Sequence, residues 1–131
     1  MAVLYLGIEG VLLCGNGTLA PHAGEFLRWT IERHTPFWLT SCTQAGIVSA
    51  FKGCAAWDAE LEALFRAVTT LPWTGTKTAA IDMDVDFYWI DANPMPADHH
   101  DRRARWVEVD ANVFPGALLA AMTVVDVLCG G

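Results

Sequence analysis

Short runs of consecutive apolar residues alternate along this chain with longer stretches in which apolar side chains return every three or four positions. The first run, Val3 to Ile8, is bounded by Gly7 and Gly10 and reads as a central parallel strand covered on both faces. Gly15, Asn16 and Gly17 are strong turn formers between Val11-Leu12-Leu13 and Leu19, so a small hairpin or flap is expected after that strand. Pro21 suits a first helical turn. Ala23, Phe26, Leu27, Thr30 and Ile31 then follow at helical spacing, giving an amphipathic helix that ends near His34, before Pro36.

Phe37-Trp38-Leu39-Thr40 is a second short strand, and the polar cluster Thr40-Ser41-Cys42-Thr43 at its end can cap a helix from about Ala45 to Phe51. Leu61, Leu64, Phe65 and Val68 mark a helix beginning near Asp58, and Thr76 can cap a short helix containing Lys77. Phe87 to Asp91 is a third strand, ending in a carboxylate. A polar loop from Asn93 to Arg105, with Pro94 and Pro96, leads to a last strand, Trp106 to Val109. Pro115 opens a final helix through about Val127, stopped by Gly130 and Gly131. Strands alternating with helices predict an α/β fold: a parallel, Rossmann-like sheet in three layers with helices on both faces. Ligands of such sheets bind beyond the carboxyl ends of the strands, where this reading gathers Glu9, Thr40, Ser41 and Asp91.

Composition narrows the picture. A chain of 131 residues fits one domain, 1–131, with a single core and no inserted second domain. Hydrophobic residues make up 53% of it, with six Trp and six Phe, so a greasy surface patch and self-association enter as expectations. No apolar run reaches the roughly 18 residues that span a bilayer, and the start lacks the pattern of a secretory leader, so a cytoplasmic location is expected. A net charge of -7 disfavours a phosphate backbone as partner, so nucleic acid is not the expected ligand. Arg102, Arg103 and Arg105 are the local exception and read as a solvated surface. Cys14, Cys42, Cys54 and Cys129 are scattered without a Cys-x-x-Cys pair, which points to reduced structural thiols.

Four places in the chain, in order, resemble the motifs of the haloacid dehalogenase (HAD) superfamily. The opening strand with Gly10-Val11-Leu12 is similar to motif one, an apolar strand running into Asp-x-Asp-Gly-(Val/Thr)-Leu. Trp38-Leu39-Thr40-Ser41 resembles the strand that ends in Thr or Ser, Lys77 the solitary lysine, and Trp89-Ile90-Asp91-Ala92-Asn93-Pro94 the apolar-Ile-Asp-Asp-x-Pro of motif four. The resemblance implies a small, capless HAD-like domain. In that family one aspartate attacks a phosphoryl group, a second acts as acid and base, and magnesium neutralises the phosphate, while Thr or Ser and Lys hold its oxygens.

The departures fall on the chemistry. Gly7 stands at the nucleophile position, Glu9 at the acid/base position, and Ala92 replaces the second acid of motif four. What remains is a set of phosphate holders, Thr40, Ser41 and Lys77, with Asp91 as the chief metal anchor, so no cofactor is required and magnesium is expected to bind weakly or not at all. Lys77 and Asp91 are equally readable as a structural ion pair. The leading expectation is a domain without aspartyl-phosphate phosphatase activity that binds a phosphate-containing small molecule or a protein. One alternative is a hydrolase in which Glu9 is base to a directly attacking water while Thr40 and Lys77 hold phosphate. Another is a structural, self-associating subunit using Trp57, Trp73 or the final helix. A thiol mechanism through Cys42 or Cys14 and a metal site at His99-His100-Asp101 are disfavoured.

Overall fold

The computed structural model describes residues 2–14, 17–40, 51–54, 57–74, 77–82, 84–92 and 106–129. Five strands, β1 (Val3–Leu6), β2 (Thr35–Trp38), β3 (Thr69–Thr70), β4 (Phe87–Asp91) and β5 (Trp106–Glu108), form one sheet in the order β3-β2-β1-β4-β5. Every strand pairing is parallel. Three α-helices, α1 (Ala23–Arg33), α2 (Ala59–Ala67) and α3 (Ala117–Leu128), and a 3-10 turn at Lys77–Ala80 complete the described elements. This is an α/β fold with a Rossmann-like parallel sheet. No helix among the described residues is long and apolar enough to cross a membrane.

The period-two geometry of the strands divides the core. Leu4, Leu6, Trp38, Tyr88 and Ile90 point to the face shared with Phe26 and Leu27 of α1, Phe65 of α2, and Leu118 and Val125 of α3. Tyr5, Leu39, Phe87 and Trp89 point to the opposite face, where Leu71, Trp73, Ala80 and Ile81 cover them. The expected helices on both faces are therefore a one-sided layer among the described residues: all three α-helices share one face and the 3-10 turn lies on the other. The expected helix from Ala45, its cap Ser41-Cys42-Thr43, Thr76 and the polar loop 93–105 lie outside the described residues.

Local differences from the sequence reading have physical causes. β1 stops at Leu6, two residues early, because the Ile8 carbonyl turns to accept the amides of Val11, Leu12 and Leu13. β2 starts at Thr35 and includes Pro36. Thr35 and Leu39 donate to β1, so alternate residues face β3, and β3 pairs only from Phe37 onward; the missing Pro36 amide falls where no strand awaits it. The two-residue β3 was not foreseen. α2 begins beside Asp58 as expected, and Asp58 caps it, its Oδ1 accepting the Leu61 amide at 2.8 Å. α3 begins at Ala117, two residues after Pro115, with Gly116 as its cap. After β1 the chain makes the anticipated flap. Leu13 bridges Leu19 antiparallel, and the Cys14 amide donates to the Thr18 carbonyl at 2.9 Å.

Candidate functional site

From β1 the chain steps outward to β2 and β3, then crosses to β4 and β5 on the other side of β1. The direction of winding changes between β1 and β4, so their carboxyl ends open the crevice in which such sheets bind ligands. Gly7 and Asp91 stand at those two ends, with the Gly7 amide donating to the Ile90 carbonyl at 2.9 Å.

The two residues are in intimate contact. A Cβ at position 7 would lie 2.7 Å from Asp91 Oδ1, 2.8 Å from its Cγ and 3.1 Å from Oδ2. The Asp91 carboxylate thus fills the space into which any side chain at position 7 would grow. Lys77 Nζ donates to Asp91 Oδ2 at 2.8 Å, and the two side chains are only 12% and 4% exposed. The backbone of Asp91 is fixed as well, its carbonyl accepting Trp106 Nε1 at 2.7 Å and the Val109 amide at 3.3 Å. Withdrawal of both charges from water is offset by their mutual attraction at hydrogen-bond distance, which is lost when either partner is removed.

Gly10 ties this corner together. Its φ of 77° suits glycine, and a Cβ there would lie 2.6 Å from the Ala92 Cβ. Its amide donates to the Leu13 carbonyl at 2.8 Å and its own carbonyl accepts the Ala111 amide at 2.7 Å, joining the loops after β1 and β5. Between these loops lies a cavity of about 690 Å³ whose wall includes Glu9, Cys14, Ala92, Asp110 and Asn112. Glu9 is exposed on that wall, whereas Lys77 and Asp91 do not line it.

The residues singled out in the sequence therefore separate into groups. Gly7, Lys77 and Asp91 converge; Glu9 and Ala92 belong to the adjoining cavity. Thr40 follows β2, where the Leu39 amide donates to the Leu6 carbonyl at 2.9 Å, and its carbonyl accepts Trp73 Nε1 at 2.9 Å. Ser41 lies outside the described residues, as do Cys42, His99, His100, Asp101 and Arg102, Arg103 and Arg105. Cys14 Sγ faces the Ala111 carbonyl at 3.7 Å. Trp57 packs against Phe51 and Phe65, and Trp73 against the sheet, so neither indole is a free surface anchor.

Asp110 is the wall residue the sequence reading passed over. Its Oδ1 accepts the Asn112 amide at 3.0 Å and its carbonyl accepts the amides of Val113 and Phe114, a turn that launches α3. Its place two residues beyond β5, as Glu9 lies three beyond β1, was the available signal. Among the described residues at the strand ends, Gly7 and Ala92 offer no carboxylate and that of Asp91 is bound to Lys77. Among the described residues, no three of His, Cys, Asp and Glu gather closely enough to hold a metal ion together. Comparison of the chain with protein-family models, curated proteins and solved structures finds no match.

Proposed function

We propose that this chain is a HAD-like domain that does not form an aspartyl-phosphate and works as a binding module. One observation carries the reading: the Asp91 carboxylate, held by Lys77, occupies the space of the side chain missing at Gly7. A covalent phosphoryl route needs a nucleophile at the tip of β1 and a cation free to meet the incoming phosphate. Here the tip carries no side chain, and the lysine already has a carboxylate partner. The meeting of three of the four motif-like stretches, at the ends of β1 and β4 and at the 3-10 turn, supports the HAD-like reading, and the fourth ends beside them at the tip of the neighbouring β2.

The ligand space is the cavity beside the ion pair. A phosphate-bearing molecule entering it meets the carboxylates of Glu9 and Asp110 on the wall, while Lys77 stands off the wall with one of its three N–H donors committed to Asp91. Incubation with magnesium and a broad panel of phosphomonoesters is expected to give no turnover above the uncatalysed rate. Robust turnover that Glu9→Gln abolishes would overturn the proposal. It would establish instead the second reading, favoured by the exposure of Glu9 on the cavity wall, of a hydrolase using Glu9 as base to a directly attacking water.

A further inference from the structure

Six of the seven large apolar residues that stand exposed among the described residues belong to α3 and the turn before it: Val113, Phe114, Leu119, Val124, Val127 and Leu128. The buried side of α3 is Ala117, Leu118, Ala121 and Val125. Its exposed side is the stripe Leu119, Ala120, Thr123, Val124, Val127 and Leu128, successive pairs four residues apart along one edge of the helix. A solvated helix face normally carries charge. This one carries none, and Asp126, outside the stripe, is the only ionisable residue in the twelve of α3. The four large apolar residues of the stripe, Leu119, Val124, Val127 and Leu128, together expose an area on the order of 350 Å², within the range of the largest apolar patch on a monomer and about half of the roughly 800 Å² per partner of a standard interface.

We infer that α3 is a two-fold interface by which this chain pairs with a second copy of itself. The stripe is complementary to its own inverted copy. Antiparallel pairing centred between Thr123 and Val124 sets Val127 of one helix over Ala120 of the other, Leu128 beside Leu119, and Val124 against Thr123. The bulky end, Val127 at 70% exposed, thereby meets the end where small side chains leave room. That room continues into a groove of about 350 Å³ between α3 and β5, lined by Val107, Ala117, Ala120, Ala121 and Phe114, with Glu108 and Asp110 also on its wall. Charge selects the same occupant. Two chains of net charge -7 repel, so they meet best along the stripe, which itself carries no charge, with the Glu108 and Asp110 carboxylates kept to the wall of the adjoining groove.

Sedimentation equilibrium over about 1 μM to 1 mM tests this directly. The wild-type chain is expected to show a reversible monomer–dimer equilibrium, and Val124→Arg to raise its Kd by about a hundredfold or more. In a Cys129→Ser background, Thr123→Cys near the axis is expected to yield a disulfide-linked dimer under mild oxidation, while Val113→Cys, off the helix, does not. This second measurement stands if Val124→Arg disturbs folding. A monomer throughout the range, a dimer indifferent to Val124→Arg that fails to cross-link through Thr123→Cys, or an open-ended series of larger species would each overturn the inference.

Discussion

The carboxyl ends of β1 and β4 and the outer face of α3 are opposites. At the strand ends, charge is buried and already answered: Lys77 has Asp91, Asp91 fills the gap at Gly7, and Gly10 is fitted against Ala92. On α3, apolar surface is exposed and unanswered. Motif-like residues therefore cluster where the chain has satisfied itself, and the unmet need for contact lies in a helix without any motif. Resemblance to a catalytic motif points to the strand ends, whereas unsatisfied surface points to where a folded chain still has contact to make.

The largest expected effect breaks the first half of that comparison. Lys77→Ala leaves the Asp91 carboxylate buried without its cation and is expected to cost about 3–5 kcal/mol in urea denaturation. Joint replacement by apolar residues, Lys77→Met with Asp91→Leu, should recover most of the loss, since a buried pair contributes little net stability over a well-packed apolar one. A single variant as stable as wild type would show that solvent already answers both charges. Next in size is Gly7→Ala, whose methyl group meets the Asp91 carboxylate at 2.7 Å and is expected to cost about 1–3 kcal/mol. In an Asp91→Ala background that penalty should shrink, and the double-mutant cycle measures the coupling. The same clash means that Gly7→Asp with Ala92→Asp cannot seat a new carboxylate at the tip of β1 without first expelling Asp91 from its place. Additive effects of Gly7→Ala and Asp91→Ala would dissolve the connection between the two strand ends.

Parts of this arrangement were legible in the sequence. β4 was readable from end to end because five consecutive buried residues, Phe87–Asp91, leave an unbroken run with a carboxylate at its tip. α2 was readable because Asp58 caps it and Leu61, Leu64 and Phe65 keep its period. The Lys77 to Asp91 pairing could be anticipated, since a carboxylate at a buried strand end needs a cation. What could not be read is that this carboxylate takes the space beside Gly7, because that depends on how closely two strands distant in sequence approach. β3 escaped because two threonines make a strand only when β2 is alongside. The orientation of α3 escaped for the reverse reason: its residues are apolar nearly all round, so periodicity cannot say which stripe faces outward.

A smaller effect asks whether internal satisfaction is peculiar to the strand ends. At the other end of the sheet His34 is buried, its Nδ1 accepting the Ala2 amide at 3.0 Å and its ring edge-on to Trp29. Burial above all lowers its pKa from the usual 6.5, and Asp126 and Asp86 only partly oppose that shift. With the folded-state pKa below the unfolded one, the unfolded chain takes up this proton first on acidification. The His34 contribution to stability is therefore complete above about pH 6.5 and is lost progressively as pH falls toward the folded-state pKa. His34→Asn keeps an acceptor for Ala2 without a titrating ring. Its urea midpoint should fall less than that of wild type between about pH 7 and pH 5.5, and parallel profiles would remove His34 as the cause.

The smallest expected effect sharpens the other half. In dilute solution Val124→Arg changes one exposed position on α3 and should alter monomer stability by no more than about 0.5 kcal/mol. At high concentration the two proteins should part: the wild-type Tm rises with protein concentration, because dimerisation draws on the folded state alone, and the variant Tm stays level. A large loss of stability in the dilute variant would mean that Val124 packs within its own chain, and the outer face of α3 would then be as self-satisfied as the strand ends. Near-silence in the monomer combined with a lost concentration dependence is the signature of a residue whose partner lies in another molecule.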